Sequence, residues 1–250
     1  DAPALICSQR PLPARRDLDP SRALGIGPEL AGRLGGRDFA LHPESPQLVS
    51  VAGNICAGKS TLARKLSERL GCEVLFEPYD TNPFLPEGYA GKEELALDSQ
   101  LYFLTARAEQ LKPDVLGQGR LSISDYVFDK ELIFARGLLD ARQFDLYERI
   151  YHPFAAEVAA PALVIYVQHP AQNCLERIHS RNRPYEQQIE LSFLETLSDD
   201  YGRLFADWKM CPVIRVPNSE DAHAEHLANQ IIHYTIGDFV VAGRARRSEM

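Results

Sequence analysis

The chain has 250 residues, of which 45% are hydrophobic and 25% charged, a composition that suits one globular domain with a full core. Its net charge of −8 argues against a general nucleic-acid or membrane-surface binder, because both functions favour a basic face. No apolar run approaches the roughly 20 residues of a membrane-spanning helix, and dispersed cysteines without a C-x-x-C pair favour reduced thiols in the cytoplasm over a disulfide framework.

Residues 1–46 differ from the rest of the chain, because they are rich in proline and arginine and show little hydrophobic periodicity. This composition predicts a flexible leader. Periodic apolar patterns then continue through residues 47–236, which we expect to form one domain, and residues 237–250 are expected to form a short C-terminal tail.

From Gln47 onward, short apolar runs alternate with longer helical patterns. This alternation predicts a three-layer, doubly wound α/β fold with a five-stranded parallel sheet, whose ligands bind beyond the carboxyl ends of the strands. The predicted strands are Leu48–Val51, Glu73–Phe76, Leu121–Ser124, Leu163–Val167 and Val213–Val216. The predicted helices span about 59–70, 92–112, 130–160 (interrupted near Gly137 and Pro153), 170–180, 187–209 and 220–235.

The segment Gly53–Ser60 matches the phosphate-binding pattern G-x-x-x-x-G-K-[ST], between the first predicted strand and the first predicted helix. In such a loop the backbone N–H groups point at phosphate oxygens, the lysine reaches the terminal phosphates and the serine hydroxyl binds Mg²⁺. The alternative is a glycine-rich turn with a chance lysine. We favour a site for ATP and Mg²⁺, formed by Gly53, Asn54, Ala57, Gly58, Lys59, Ser60 and Thr61.

Two acids follow predicted strands at the same edge of the sheet. Glu77 follows the second strand, where a carboxylate could accept a proton from a hydroxyl that attacks the γ-phosphate; the alternative is a solvated turn residue. Asp125 ends the third strand, where nucleotide-binding folds of this type hold the metal ion through a second contact, and the alternative is a helix N-cap. We predict a general base at Glu77 and a Mg²⁺ ligand at Asp125.

Three arginines, Arg177, Arg181 and Arg183, follow the fourth predicted strand and its helix. On its own, such a segment is more often a solvated helix face. Beside a phosphate-binding loop it predicts a lid that closes over the triphosphate and stabilises charge on the transferring phosphoryl group.

Together these motifs resemble the deoxyribonucleoside kinases, a family of P-loop kinases. Within that family they resemble in particular the bacterial deoxyadenosine/deoxyguanosine kinase branch. The resemblance runs from about Gln47 to Val216. It rests on the order and spacing of several short segments, namely Gly53–Leu62, Glu77-Pro78 with Asn82–Leu85, Leu97–Leu104, the arginine segment, and its continuation through Gln188–Leu191 and Phe193-Leu194.

The resemblance implies a role for each matching residue. Glu77 would act on the deoxyribose 5′-hydroxyl, Gln100 and Arg107 would pair with the base, and Tyr89 and Glu186 would hold the 3′-hydroxyl. Positions 100 and 107 lie seven apart and therefore share a helix face. The resemblance also implies a homodimer, and Ser99 beside Gln100 leaves room that favours a purine.

One departure from the family pattern concerns the third strand. The family places arginine and serine after the acid, whereas this chain reads Asp125-Tyr126-Val127-Phe128-Asp129-Lys130. Either another cation replaces the arginine, with Lys130 and Arg136 as the candidates, or the site works differently. Asp129 could instead face the base of the substrate.

The function predicted from these residues is ATP- and Mg²⁺-dependent phosphorylation of a deoxyribonucleoside at its 5′-hydroxyl, for nucleotide salvage. One alternative is a P-loop kinase for another small acceptor, such as a nucleoside monophosphate. That acceptor needs a basic pocket, whereas the region of Tyr89 and Gln100 is neutral. A second alternative is a nucleotide-gated ATPase switch, which needs a residue that orients water.

Overall fold

The computed structural model of the protein describes residues 46–85, 93–217 and Ala228. Apart from Pro46, the predicted leader lies outside the described residues, as do the predicted tail and most of the helix predicted at 220–235. The limits of the predicted domain therefore stay a prediction. Among the described helices, none is long and apolar enough to cross a membrane.

Five parallel strands form a single sheet in the order β2-β3-β1-β4-β5. The strands are β1 (Gln47–Gly53), β2 (Glu73–Leu75), β3 (Leu121–Ser124), β4 (Leu163–Gln168) and β5 (Val213–Pro217). All five match predicted strands, and the parallel sheet is confirmed. Strand β2 lies next but one to β1, so the segment after β2 leaves the sheet near the loop after β1.

Successive residues of the central strands are buried, which shows that helices cover both faces of the sheet. In β1, residues 48–53 are all buried, and in β4 so are residues 163–167. Successive side chains of a strand point to opposite faces, so a continuous run of buried residues requires a layer on each side. The predicted three-layer α/β architecture is confirmed.

The helices are α1 (Lys59–Leu70), α2 (Ala96–Gln110), α3 (Pro113–Leu116), α4 (Lys130–Leu138), α5 (Ala141–Glu157), α6 (Ala171–Arg181) and α7 (Leu191–Ala206). Single turns of 3₁₀-helix span Glu93–Leu95 and Pro184–Glu186. The predicted break near Gly137 occurs just after it, where Asp140 caps α5 by accepting hydrogen bonds from the N–H groups of Arg142 and Gln143.

The predicted interruption at Pro153 was wrong, because α5 continues through this residue to Glu157. A proline inside a helix removes one backbone hydrogen bond, and tertiary packing can override that cost. Here Tyr147 and Tyr151, which precede Pro153 in the same helix, are buried in the core cluster that α5 forms with α2 and α4.

The close approach of β1 and β4 at Gly53 allows a direct test. Gly53 has φ 145°, and an added Cβ would lie 2.5 Å from the carbonyl oxygen of Val167. Gly53→Ala should therefore lower the free energy of unfolding by about 1–3 kcal/mol, as overpacking does. The matched control is Gly202→Ala in α7, where an added Cβ meets nothing within 4 Å and alanine should stabilise the helix by roughly 0.5–1 kcal/mol.

Urea unfolding measures both variants. A Gly53→Ala protein as stable as the parent would contradict the tight packing between these strands.

Candidate active site

The loop after β1 curls around its own backbone and leads directly into α1. The Ala57 N–H donates to the carbonyl oxygen of Asn54 at 3.2 Å, and the Lys59 Nζ donates to the same oxygen at 2.7 Å. Gly58 precedes the helix with φ 91°, a left-handed conformation that favours glycine. The N-terminus of α1 and the buried Lys59 therefore face the concave side of the loop, as phosphate binding requires.

The side chain of Asn54 anchors this loop to the distant helix α7. Its Nδ2 donates to the carbonyl oxygen of Leu194 at 2.7 Å and to Ser198 Oγ at 2.9 Å, while its Oδ1 accepts from the Ile55 N–H at 2.8 Å. The side-chain amide of Asn54 thus supports the shape of the loop.

Asp125 joins the three segments that follow β1, β2 and β3. Its Oδ2 accepts a hydrogen bond from Ser60 Oγ at 2.5 Å, and its Oδ1 accepts one from the Glu77 N–H at 2.8 Å. A hydroxyl and a carboxylate in contact form an oxygen donor set that fits Mg²⁺, which usually binds one or two carboxylates together with water and substrate phosphates. The two predicted metal ligands are thus adjacent.

Glu77 is buried at the floor of a cleft beside the loop. Both Arg107 and Lys130 contact its Oε1 atom, whereas Oε2 has no well-aligned hydrogen-bond partner among the described residues. Burial alone would raise the pKa of Glu77, but the charges of Arg107 and Lys130 outweigh it and hold the pKa well below its usual range. Glu77 is therefore a carboxylate at neutral pH, and its Oε2 atom takes part in neither of the two ion pairs that hold Oε1. The Tyr79 hydroxyl lies close to the same carboxylate and further lowers its pKa.

Four charged side chains form what we term the buried charge cluster, namely Glu77, Arg107, Lys130 and Glu131. Arg107 contacts Glu77 with Nη2 and Glu131 with Nη1, and the Tyr147 hydroxyl donates to the other oxygen of Glu131. Each of the four side chains is at most 4% exposed. Two carboxylates and two cations balance, which is the condition under which buried charges are tolerated.

Glu131 and Tyr147 were missed from the sequence. The available signal was the adjacent pair Lys130-Glu131, which opens a helix directly after a buried strand and its connection. Charged residues in such a position are solvated unless they are paired. Their pairing depends on α2 and α5, so sequence spacing alone does not reveal it.

A cleft, partly open to solvent, extends from Lys59 and Glu77 to Gln100. Gln100 is buried and lines this cleft. The rest of the cleft is mostly apolar or aromatic, with Ile55, Tyr79, Leu85, Ala96, Phe103, Phe134, Leu138 and Tyr185 in its walls. A side-chain amide in an apolar, aromatic cleft suits the hydrogen-bonding edge of a flat ring.

Asp129 is not among the residues that line this cleft. It directly precedes α4, and burial raises the pKa of its carboxyl group to about 6.

The arginine segment lies beside Glu186, which is buried in the cleft wall. Arg181 donates to Glu186 Oε2 through Nε at 3.2 Å and Nη2 at 2.5 Å, and Arg183 Nη1 lies 3.5 Å from Glu186 Oε1. Arg177 lies one turn before Arg181 on α6. Tyr89, the predicted partner of Glu186, lies outside the described residues.

Tyr126, which stands where the family pattern has arginine, does not face the cleft. Its ring is fully buried in the core cluster, and its hydroxyl donates to Gln110 Oε1 at 2.6 Å. Of the two candidate replacement cations, Arg136 places its guanidinium 5.3 Å from the centre of the Phe144 ring, whereas Lys130 contacts Glu77 inside the cleft. Of these two candidates, only Lys130 therefore contacts Glu77 among the described residues.

A phosphate-binding loop beside a carboxylate and a neutral, partly apolar cleft defines a P-loop kinase for a small acceptor. The family model for deoxynucleoside kinases matches residues 49–241. The chain therefore belongs to the deoxynucleoside kinase family, and the resemblance seen in its motifs is confirmed.

Several relatives with similar sequences are named as deoxyguanosine or deoxyadenosine kinases. Deoxyguanosine kinase of Bacillus subtilis (strain 168) is 35% identical over 156 residues, which cover 61% of this chain and 75% of that protein. Deoxyadenosine kinase of Dictyostelium discoideum is 30% identical over 189 residues, or 73% of this chain and 77% of that protein. The structure of deoxyadenosine kinase from M. mycoides with bound dATP has a TM-score of 0.65 at 25% identity, covering 74% of this chain and 98% of that one.

The charge balance of the buried cluster can be tested by removing one carboxylate. Glu131→Gln should lower the free energy of unfolding by about 3–5 kcal/mol, because Arg107 and Lys130 would then share a single buried counter-charge. Tyr147→Phe removes one hydrogen bond to Glu131 but keeps the charges, so a loss of about 1–3 kcal/mol is expected. Urea unfolding compares the two, and equal losses would show that the charge of Glu131 is unimportant.

Proposed function

We propose that this kinase transfers a phosphoryl group from ATP to the 5′-hydroxyl of a deoxyribonucleoside, with purines preferred, for nucleotide salvage. The observation that carries the proposal is the ionised Glu77 carboxylate, whose Oε2 atom lies outside both ion pairs and is buried in a cleft lined by Lys59 and Gln100. Membership of the deoxynucleoside kinase family supports the reaction, and relatives named as deoxyguanosine and deoxyadenosine kinases support the purine preference.

On the acceptor side, Glu77 Oε2 takes the proton of the 5′-hydroxyl. The 5′-oxygen forms a bond to the γ-phosphorus, the bond from that phosphorus to the β–γ bridging oxygen breaks, and ADP leaves with the electron pair. Glu77 is a weak base because its cations lower its pKa. Phosphoryl transfer passes through a loose transition state, so positioning of the hydroxyl matters more than base strength.

On the donor side, the N–H groups of the loop at Gly53–Ser60 and the start of α1 bind the phosphates, with Lys59 at the terminal ones. We assign Arg177 to ATP binding. We assign Arg181 and Arg183 to stabilising the negative charge that develops on the transferring phosphoryl group. Both of the latter already lie at the rim of the cleft through Glu186. Ser60 and Asp125 would hold Mg²⁺, which neutralises phosphate charge when it is bound.

The acceptor is oriented by groups on several elements. Gln100 offers its side-chain amide to the base, and Arg107 lies two turns further along the same face of α2. Glu186 and Tyr89 are proposed to hold the 3′-hydroxyl. Asp129 stays a weaker candidate for base recognition, because it does not line the cleft. We further infer a cytoplasmic homodimer, which sedimentation of the purified protein would test.

The pairing of charges disfavours a nucleoside monophosphate as the acceptor. Arg107 and Lys130, the cations beside Glu77, are both bound to carboxylates. An acceptor phosphate would have to compete with those carboxylates in a buried site, whereas a neutral nucleoside leaves the pairs intact.

A panel of acceptors tests the proposed function. With ATP and Mg²⁺, phosphorylation of deoxyadenosine or deoxyguanosine should show a higher kcat/KM than that of deoxycytidine or thymidine. ATP consumption without an acceptor should be at background, because Glu77 is placed for a bound hydroxyl. Absence of turnover on every deoxynucleoside would refute the kinase assignment, and ATP hydrolysis that no acceptor alters would favour the ATPase switch.

The role of Glu77 has its own test. Glu77→Gln should lower kcat by roughly 10²–10⁴-fold, the usual contribution of a positioned base, while ATP still binds. Glu73→Gln, at the exposed start of β2, is the matched control and should keep the parent activity. A near-normal kcat for Glu77→Gln would remove Glu77 from the role of base.

A further inference from the structure

Lys130 is a buried lysine in the cleft that the proposed reaction does not yet use. It is the first residue of α4, and its side chain is 4% exposed. Its Nζ contacts Glu77 Oε1 and lies 4.9 Å from the centre of the Phe134 ring. Burial of an ammonium group is costly, so its presence beside the candidate base calls for a functional explanation.

The groups that face Lys130 come from three other segments. Burial lowers the pKa of Lys130 to about 8; the Glu77 carboxylate opposes this shift, while the charges of Arg107 and Lys59 add to it. Arg107 belongs to the acceptor side of the cleft and Lys59 to the phosphate-binding loop. Charges from both the phosphate-binding loop and the proposed acceptor side of the cleft therefore act on this ammonium group.

We propose that Lys130 is a positioning residue for phosphoryl transfer, which holds Glu77 Oε1 so that Oε2 faces the attacking hydroxyl. This inference rests on the proposed function. Arg107 cannot do this alone, because it also binds Glu131. With Lys130 on the other side, Oε1 is held by two cations from two helices, and rotation of the carboxylate would break both pairs.

Proton transfer changes the charge balance around Lys130. Before the reaction, Glu77 neutralises it; when Oε2 takes the proton from the 5′-hydroxyl, Glu77 becomes neutral and the ammonium loses its partner. The uncompensated positive charge then stands beside Lys59 while negative charge moves through the phosphoryl group. A fixed charge that becomes available only in the transition state lowers the barrier without tightening substrate binding.

The test compares Lys130→Met, which keeps the length of the side chain and removes the charge, with Lys130→Arg, which keeps the charge. Lys130→Met should lower kcat by about 10²-fold, as removal of one preorganised electrostatic group does, with the Kd for ATP and the KM for the deoxynucleoside within about threefold of the parent. Lys130→Arg should recover at least about tenfold of that loss. Arg136→Met, on the exposed side of the same helix, is the matched control.

The pH profile gives a readout that a purely structural role would not change. The parent kcat/KM, which reports the pKa values of the free enzyme, should fall as the pH rises through about 8, because Lys130 loses its proton there. Arginine stays charged, so Lys130→Arg should lack this alkaline decline. The Tyr79 hydroxyl, which burial and Glu77 affect, has its pKa raised well above its ordinary value and does not titrate in this range.

Urea unfolding of every variant separates a loss of folded protein from a loss of rate. A Lys130→Met kcat within threefold of the parent, or a Lys130→Arg variant that neither recovers activity nor changes the pH profile, would overturn the inference while leaving the kinase assignment intact. A parent protein inactive on every deoxynucleoside would refute the proposed function, and this inference with it.

Discussion

The geometry of the site depends on the two hydrogen bonds accepted by Asp125. One carboxylate binds the phosphate-binding loop through Ser60 and the segment after β2 through the Glu77 N–H. Because β3 lies between β1 and β2 in the sheet, Asp125 stands between the donor and acceptor sides. It therefore fixes the position of the phosphate-binding loop relative to the segment that carries Glu77. The order of the strands brings these two segments close together, and the two hydrogen bonds hold them there.

The buried charge cluster determines the ionisation state of Glu77 at this position. Ionised groups at most 4% exposed are unfavourable unless each has a counter-charge, and here every member contacts one of opposite sign. The same pairing keeps Glu77 ionised and leaves its Oε2 atom outside the ion pairs. Stability and the proposed role of Glu77 thus depend on the same contacts, which join the segment after β2 to α2 and α4, while Tyr147 of α5 hydrogen-bonds Glu131.

The sequence predicted what local patterns encode. The five strands, the parallel sheet and the phosphate-binding loop follow from apolar runs and glycine spacing, and all three were confirmed. Pairing among distant side chains was less accessible. Three features depend on how the helices pack, namely the burial of Tyr126, the contact of Lys130 with Glu77 and the ion pair between Glu131 and Arg107. The passage of α5 through Pro153 likewise depends on tertiary packing.

The anchoring of Asn54 has a consequence for how the loop acquires its shape. Its partners Leu194 and Ser198 lie 140 and 144 residues further along the chain. A peptide of β1, the loop and α1 contains the full nucleotide-binding motif but lacks these partners. The motif is therefore local in sequence, whereas its conformation is a long-range property that is complete only after α7 has docked. Contacts between residues so far apart carry a loop-closure cost that local contacts do not, so we expect the nucleotide site to be completed late in folding.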